Sequence, residues 1–177
     1  MKKAIFLRKA MSRNKKRNIK ILVMDVDGTL TDGRIYMGTN GEMMKAFHIK
    51  DGLAISRILV KSGIVPVILT GRKSDIVTRR CEEIGIRYLF QGVNDKSSEL
   101  EKILVFLSTE LGMEITFNNV AYIGDDINDI DCMKQVGLSA CPIDAAGEVL
   151  EIADYVCRKK GGEGAVREFI EWISKKE

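Results

Sequence analysis

The sequence is short of the residues that several common chemistries need. It has one histidine, His48, so a Ser-His-Asp triad or a His-rich zinc site has almost nothing to build on. Its four cysteines (Cys81, Cys132, Cys141, Cys157) form no C-x-x-C pair and no ligand cluster. Each lies in or beside an apolar stretch and reads as a buried, reduced thiol. No apolar run approaches the roughly 20 residues of a membrane helix. Ala4-Ile5-Phe6-Leu7, closed by Arg8-Lys9, is too short for a secretory h-region. A cytoplasmic protein without a membrane partner is therefore expected. Only two prolines and no low-complexity linker interrupt 177 residues, which suits one domain with a sizeable core. Acidic residues are missing from one place: residues 1–20 hold nine Lys/Arg and no Asp/Glu, although the chain has 25 acidic residues. With no aromatic interleaving beyond Phe6, this basic stretch reads as a flexible, solvated leader over 1–18 rather than a nucleic-acid arm. Residues 19–177 are left as the folded domain.

What is present is an alternation of short apolar runs and amphipathic segments. Residues 19–24 read as a buried strand ending at Asp25, 64–69 as another ending at Thr70, and 120–123 as a third ending at Gly124-Asp125. Weaker strands are expected at 87–90, 138–141 and 155–157. Helices are expected near 52–62, 74–84, 96–111, 127–136, 145–153 and 164–175. Asp51 and Ser74 suit N-caps, and Gly63, Gly85, Gly112 and Gly137 suit C-caps. The alternation predicts βαβ units, hence an α/β fold with a doubly wound, mainly parallel sheet. Residues 33–48 break the pattern. There 34–37 and 42–47 read as the strands of a β-hairpin about Gly38-Thr39-Asn40-Gly41, inserted after the first strand. Its apolar Ile35, Tyr36, Met37, Met43 and Met44 suit a core position. A two-stranded hairpin is marginal alone and must pack on something.

Polar groups gather at the C-terminal ends of the expected parallel strands, the edge where open α/β sheets bind ligands. They are Asp25-Val26-Asp27-Gly28-Thr29, Thr70-Gly71-Arg72, Asn94-Asp95-Lys96 and Gly124-Asp125-Asp126-Ile127-Asn128-Asp129. A phosphate monoester is a dianion, so a nucleophilic carboxylate needs a divalent cation and a lysine beside it. Magnesium is held by a few carboxylates plus waters and phosphate oxygens. An aspartate can take the phosphoryl group covalently and be freed by water. A carboxyl two positions on can protonate the leaving alcohol and then deprotonate that water. Taken singly, an aspartate at a strand end is more often a cap or a turn residue, and a lone lysine a surface group. The joint occurrence is the specific signal.

In this order and context the four motifs resemble the haloacid dehalogenase-type phosphatases over about residues 19–175. The resemblance implies a Rossmann-like fold, Mg²⁺ dependence and a role for each motif. Asp25 would be the aspartyl-phosphate nucleophile, and Asp27 the general acid/base whose main-chain carbonyl also ligates Mg²⁺. Thr70 and Lys96 would hold the transferring phosphoryl group. Asp125 would complete a metal set with Asp25 and Asp27, with Asp126 and Asp129 one layer further out.

A narrower set resembles the 3-deoxy-D-manno-octulosonate 8-phosphate (KDO 8-phosphate) phosphatases, a capless branch tied to lipopolysaccharide biosynthesis. It comprises Asp32-Gly33, the hairpin, Phe47-His48-Ile49-Lys50-Asp51-Gly52, and Lys160-Gly161-Gly162-Glu163-Gly164-Ala165-Val166-Arg167-Glu168. The loop after the first strand is the only one long enough for a cap, and it reads as a hairpin. This resemblance implies release of the free sugar acid and inorganic phosphate from KDO 8-phosphate. It also implies a homotetramer built through the hairpins, with the glycine-rich tail (Gly161, Gly162, Gly164) closing a neighbour's site. His48, Ile49, Lys50, Asp51, Gly52, Arg72 and Arg80 would bind the sugar acid, with Asp27 and Lys96 at the phosphate end. Arginine suits a carboxylate because it binds bidentately. Arg72 after Thr-Gly favours the eight-carbon acid over a nine-carbon keto-deoxy (sialic acid type) 9-phosphate. Ser56 stands where the eight-carbon family is often basic, and residues 138–145 are similar to phosphatase-like domains attached to sialic acid cytidylyltransferases. Both keep the nine-carbon substrate open. A non-catalytic assembly domain of the same fold is a further alternative. A receiver-like signalling module is another, but there the adjacent acidic pair follows the first strand, whereas here D-x-D comes first and the pair comes late.

Overall fold

A computed structural model describes residues 18–175, so the expected leader lies outside the described residues except for Asn18. β1 (Ile21–Met24) is buried along its whole length. Ile21 and Val23 enter one core cluster, and Leu22 and Met24 the other. A strand apolar on both faces belongs inside a sheet, and β1 lies between two parallel neighbours.

β2 (Tyr36–Gly38) and β3 (Gly41–Met44) form a separate antiparallel hairpin. The chain continues through α1 (Ile49–Leu53), which runs into a π-helical stretch (Ala54–Leu59), then β4 (Val65–Leu69), α2 (Asp75–Ile84) and β5 (Tyr88–Phe90). It proceeds through α3 (Lys96–Leu111), β6 (Val120–Ile123), α4 (Ile130–Gln135), β7 (Leu138–Cys141), α5 (Gly147–Ile152), β8 (Tyr155–Val156) and α6 (Ala165–Ser174). The six-stranded sheet has the order β5-β4-β1-β6-β7-β8, and every pair in it is parallel. Residues of the π-helical stretch, α2 and α6 share one core cluster with the sheet; residues of α3, α4 and α5 share the other. This is the doubly wound α/β architecture that the alternation implies. Met24 stands level with Ile68 and with Ile123, so Asp25, Thr70 and Asp125 emerge at one edge.

Several local expectations hold for the reasons given. Ser74 caps α2, its Oγ accepting from the Val77 N–H at 3.4 Å. Gly85 and Gly112 end their helices in the left-handed region, at φ 74° and 62°. Others need correction. α1 starts before Asp51, with His48 at the N-cap position and no side-chain cap, so Asp51 lies in the first turn. α4 ends before Gly137, which is a glycine because its Cα passes the Asn118 backbone too closely for a Cβ. The hairpin inverts the expected burial. Ile35, Met37, Met43 and Met44 are 43 to 69 % exposed, while the Lys45 side chain after them is 1 % exposed. All four cysteines are free and buried, and burial pushes the thiols up, Cys81 to about 11 and Cys132 and Cys141 to about 12. No helix among the described residues is long and apolar enough to cross a membrane.

Candidate active site

Asp25 follows β1 directly, its N–H donating to the Ile123 carbonyl at 3.0 Å. Its carboxylate is buried and meets Lys96 at the start of α3, whose Nζ donates to Oδ1 at 2.7 Å. The same ammonium donates to Asp129 Oδ1, also at 2.7 Å. Burial works to depress the Lys96 ammonium, but Asp25 and Asp129 outweigh it and raise its pKa, so it remains a cation.

Asp129 is fully buried and committed on both oxygens. Besides Lys96, Tyr122 donates its hydroxyl to Oδ1 at 2.6 Å, and the N–H groups of Asp125 and Asp126 donate to Oδ2 at 3.0 and 3.2 Å. It thereby folds the loop after β6 back on itself, and Gly124 is needed there because a Cβ would enter the Asp129 carboxyl. Asp126 is exposed and caps the turn that follows, accepting from Ile127 N–H at 2.8 Å. Asp125 points across to the first loop, accepting from Thr29 Oγ1 at 2.8 Å. Gly28, at φ 92°, lets that loop pass so near Asp125 that even a methyl would collide with its carboxylate.

Ligand oxygens of Asp25, Asp125 and Asp129 lie within 4.8 Å of one another. Burial and the Asp129 charge push Asp25 up to about 6, against Lys96. Burial and the Asp25 charge push Asp125 up to about 8, against the Thr29 hydrogen bond. Three crowded carboxylates with one lysine leave a surplus of negative charge that a small divalent cation neutralises. Asp129 already accepts four hydrogen bonds, so Asp25 and Asp125 are the carboxylates with capacity left for an ion.

Asp27 belongs to a second group. Lys45 Nζ pairs with Asp27 Oδ1 and reaches Glu42 Oε1 at 2.9 Å. Arg72 Nε lies 3.8 Å from Asp27 Oδ2, and its Nη2 lies 4.0 Å from Glu42 Oε1. Ser74 donates its hydroxyl to Glu42 Oε2. Burial works to raise the Glu42 carboxyl, but Ser74, Lys45 and Arg72 hold it below its usual range, and it stays an anion. The hairpin is thus bolted to the loops after β1 and β4. Thr70, 2 % exposed, closes the wall at the end of β4.

The remaining expected sugar contacts lie on another wall. His48, Lys50, Arg158, Glu163, Arg167 and Glu171 are among the residues around a cleft of about 410 Å³. Ile49 and Lys50 are exposed. Asp51 is buried and accepts from Arg167 N–H at 2.7 Å, so its carboxylate caps the N-terminus of α6 instead of facing solvent. Arg80 lies with its guanidinium 5.7 Å from the Phe47 ring and pairs with Glu83 at 2.8 Å. Gly52 makes room for it, since a Cβ there would strike the guanidinium. The tail glycines are seated in their own chain. Gly161 donates its N–H to Asp144 Oδ1 at 3.0 Å and lies hard against the Gly28 carbonyl; Gly162 donates to the Thr29 carbonyl at 3.2 Å. Gly164 lies beside the His48 ring.

Sequence reasoning missed Lys45, Glu42 and Tyr122, and set Asp129 further from the centre than it is. Tyr122 had no signal beyond its place in β6. Lys45 carried one: a cation among methionines in a strand, which reads as solvent-facing unless the methionines face outward.

A family model of haloacid dehalogenase-like hydrolases matches residues 91–170. The chain is 46 % identical over 159 residues to the 3-deoxy-D-manno-octulosonate 8-phosphate phosphatase of Escherichia coli K12, covering 90 % of this chain and 81 % of that protein. The crystal structure of the Yersinia pestis phosphatase of the same name superposes with a TM-score of 0.83 at 42 % identity, covering 90 % of this chain and 83 % of that one. The Moraxella catarrhalis phosphatase, solved with a magnesium ion, a phosphate ion and KDO, superposes with a TM-score of 0.81 at 40 % identity, over 90 % of this chain and 88 % of that one. The chain belongs to the haloacid dehalogenase-like hydrolases, in the 3-deoxy-D-manno-octulosonate 8-phosphate phosphatase family.

Proposed function

We propose that the chain is a Mg²⁺-dependent phosphatase that hydrolyses KDO 8-phosphate to the free sugar acid and inorganic phosphate. The observation that carries this is Asp25: a buried carboxylate at the end of the central strand, with Lys96 on one side and Asp125 on the other. The crystallised Moraxella relative, with its magnesium, phosphate and KDO, supports the same cation and sugar acid here.

Asp25, Asp125 and the Asp27 main-chain carbonyl are the proposed ion ligands. An ion held by these groups would screen the charge of the phosphate dianion. Asp25 attacks phosphorus in line with the ester oxygen, and Lys96 and Thr70 steady the charge on the transferring group. Asp27 gives a proton to the departing sugar hydroxyl, then takes one from the water that hydrolyses the aspartyl-phosphate. Arg72 is the proposed partner of the sugar carboxylate, a reading supported by its place beside Asp27 and its 45 % exposure. His48 to Gly52 and Arg80 are proposed to shape the sugar-acid side, with Asp51 fixing that segment to α6.

The exposed methionines of the hairpin support a homotetramer assembled through it, and Ile49 and Lys50 lie where a neighbour can use them. A tail reaching into a neighbouring site would have to use residues other than Gly161 and Gly162, which are engaged at home. We place the enzyme in the cytoplasm, with residues 19–177 as its single domain and 1–18 as a leader.

The test is phosphate release from eight- and nine-carbon keto-deoxy acid phosphates with Mg²⁺. The eight-carbon ester should give the higher kcat/KM. No activity on either would end the proposal, and a nine-carbon preference would change only the substrate. Asp25→Asn separates catalysis from a purely architectural role: unchanged turnover would refute the nucleophile.

A further inference from the structure

The roles above leave Lys45 unused, although its side chain is as enclosed as that of Lys96. Its side chain is 1 % exposed, and an ammonium so buried needs charged partners. It has two, on different elements: Asp27 Oδ1 in the loop after β1, and Glu42 Oε1 on β3. Glu42 is held from the far side by Ser74, the cap of α2. Lys45 is therefore fixed before any substrate arrives.

The two oxygens of Asp27 are held unequally. Oδ1 is paired with the buried Lys45. Oδ2 has Arg72 Nε at 3.8 Å, beyond hydrogen-bond distance, on a side chain that is 45 % exposed. A carboxylate tied at one oxygen cannot turn freely about its Cβ–Cγ bond. We propose that Lys45 is a positioning residue for Asp27, fixing Oδ1 so that Oδ2 is the oxygen that exchanges protons with the substrate. This rests on the reading of Asp27 as the acid/base.

The chemistry needs one oxygen in one place twice. First, an Asp25 oxygen bonds to phosphorus and the bond from phosphorus to the sugar oxygen breaks. The electron pair stays on that oxygen, which takes the proton of Oδ2. Second, a water oxygen bonds to phosphorus and its proton passes to Oδ2. The bond from phosphorus to Asp25 then breaks, releasing inorganic phosphate. A carboxyl free to rotate would serve both steps poorly. If Lys45 serves only as a counter-charge anchoring the hairpin through Glu42, its loss would weaken all activity alike.

Leaving groups separate these two roles. p-Nitrophenolate departs without a proton, so p-nitrophenyl phosphate needs Asp27 only in the second step. The experiment compares the full-length Mg²⁺-loaded wild type with Lys45→Met, Lys45→Arg and Asp27→Asn on KDO 8-phosphate and p-nitrophenyl phosphate. Lys45→Met should lose about 100-fold in kcat on the sugar ester, a typical general acid–base contribution, with KM changed less than about threefold. On p-nitrophenyl phosphate it should release a burst of p-nitrophenolate equal to the active sites, then turn over slowly. Lys45→Arg should recover most of the loss. Equal losses on both substrates without a burst, or a loss confined to KM, would overturn the inference. If Lys45→Met does not fold, Lys45→Met combined with Glu42→Gln removes both buried charges and gives the same readout. Full turnover by Asp27→Asn would remove the acid/base reading and this inference together. Loss there with a wild-type Lys45→Met would remove the inference alone.

Discussion

Among the site's aspartates, the number of hydrogen bonds accepted separates scaffold from reactant. Asp129 accepts four and is sealed from water. Asp25 and Asp125 sit against like charge and accept fewer hydrogen bonds, which suits the proposed roles of binding a cation and a phosphoryl group. Asp25→Asn should abolish phosphate release and yet raise the melting temperature of the ion-free protein at pH 8, because it removes one crowded charge. A calorimetric scan of both proteins in chelator checks it; a lower melting temperature would contradict the crowding. The same crowding fixes the response to pH. Asp25 at about 6 and Asp125 at about 8 stand above their unfolded value of 3.8, so the folded, ion-free state binds more protons than the unfolded one. Its stability is then greatest below the unfolded pKa and falls as pH rises towards 8. Mg²⁺ offsets that loss. Melting in chelator and in Mg²⁺ at pH 5.5 and 8.5 should show a larger Mg²⁺ increment at the higher pH. At this scale the motif residues were legible because D-x-D-G-T and G-D-D-x-x-D put them at fixed offsets from apolar strands. Lys45 and Tyr122 were not, because they stand inside apolar runs with no motif offset, and only the folding back of the loops brings them to Asp27 and Asp129.

The strands and helices divide in the same way. β1, β4 and β6 are continuous apolar runs between helices, and burial on both faces leaves such runs one place to go. The hairpin has no such constraint. Either face of a two-stranded ribbon can turn inward, and pairing with Asp27 and Glu42 turns Lys45 in and the methionines out. The caps show the same limit: Ser74 acts on its own helix and was readable, whereas Asp51 caps α6 from across the fold and was not. The outward methionines carry an expectation of their own. On the proposed tetramer, Met37→Glu combined with Met43→Glu should shift the protein to smaller species in sedimentation velocity, with unchanged circular dichroism. A tetramer that survives both charges would move the interface elsewhere.

Across the whole molecule, the sheet order collects groups from four separate loops onto one edge, and α6 completes the core beneath it. Phe169, Ile170 and Ile173 of α6 pack with Leu22, Met24, Ile55 and Leu59. Just before α6, Gly161 touches the Gly28 carbonyl and Gly162 bonds to Thr29. Gly161→Ala should therefore act at a distance. A methyl forced against Gly28 displaces the loop that carries Asp27, at a cost of about 1–3 kcal/mol, and weakens Mg²⁺ binding as well. Chemical denaturation and Mg²⁺ titration of the variant check both effects. Gly161→Ala with wild-type Mg²⁺ affinity would mean that the tail supports the fold without supporting the site. The seat of Gly161 on Gly28 also sets a clock. Translation delivers Asp25 and Asp27 early, but the segment that braces their loop emerges only after all six strands have been made. On the proposed reading of Asp25, the growing polypeptide would carry its nucleophile without this brace until residues 161–173 have left the ribosome.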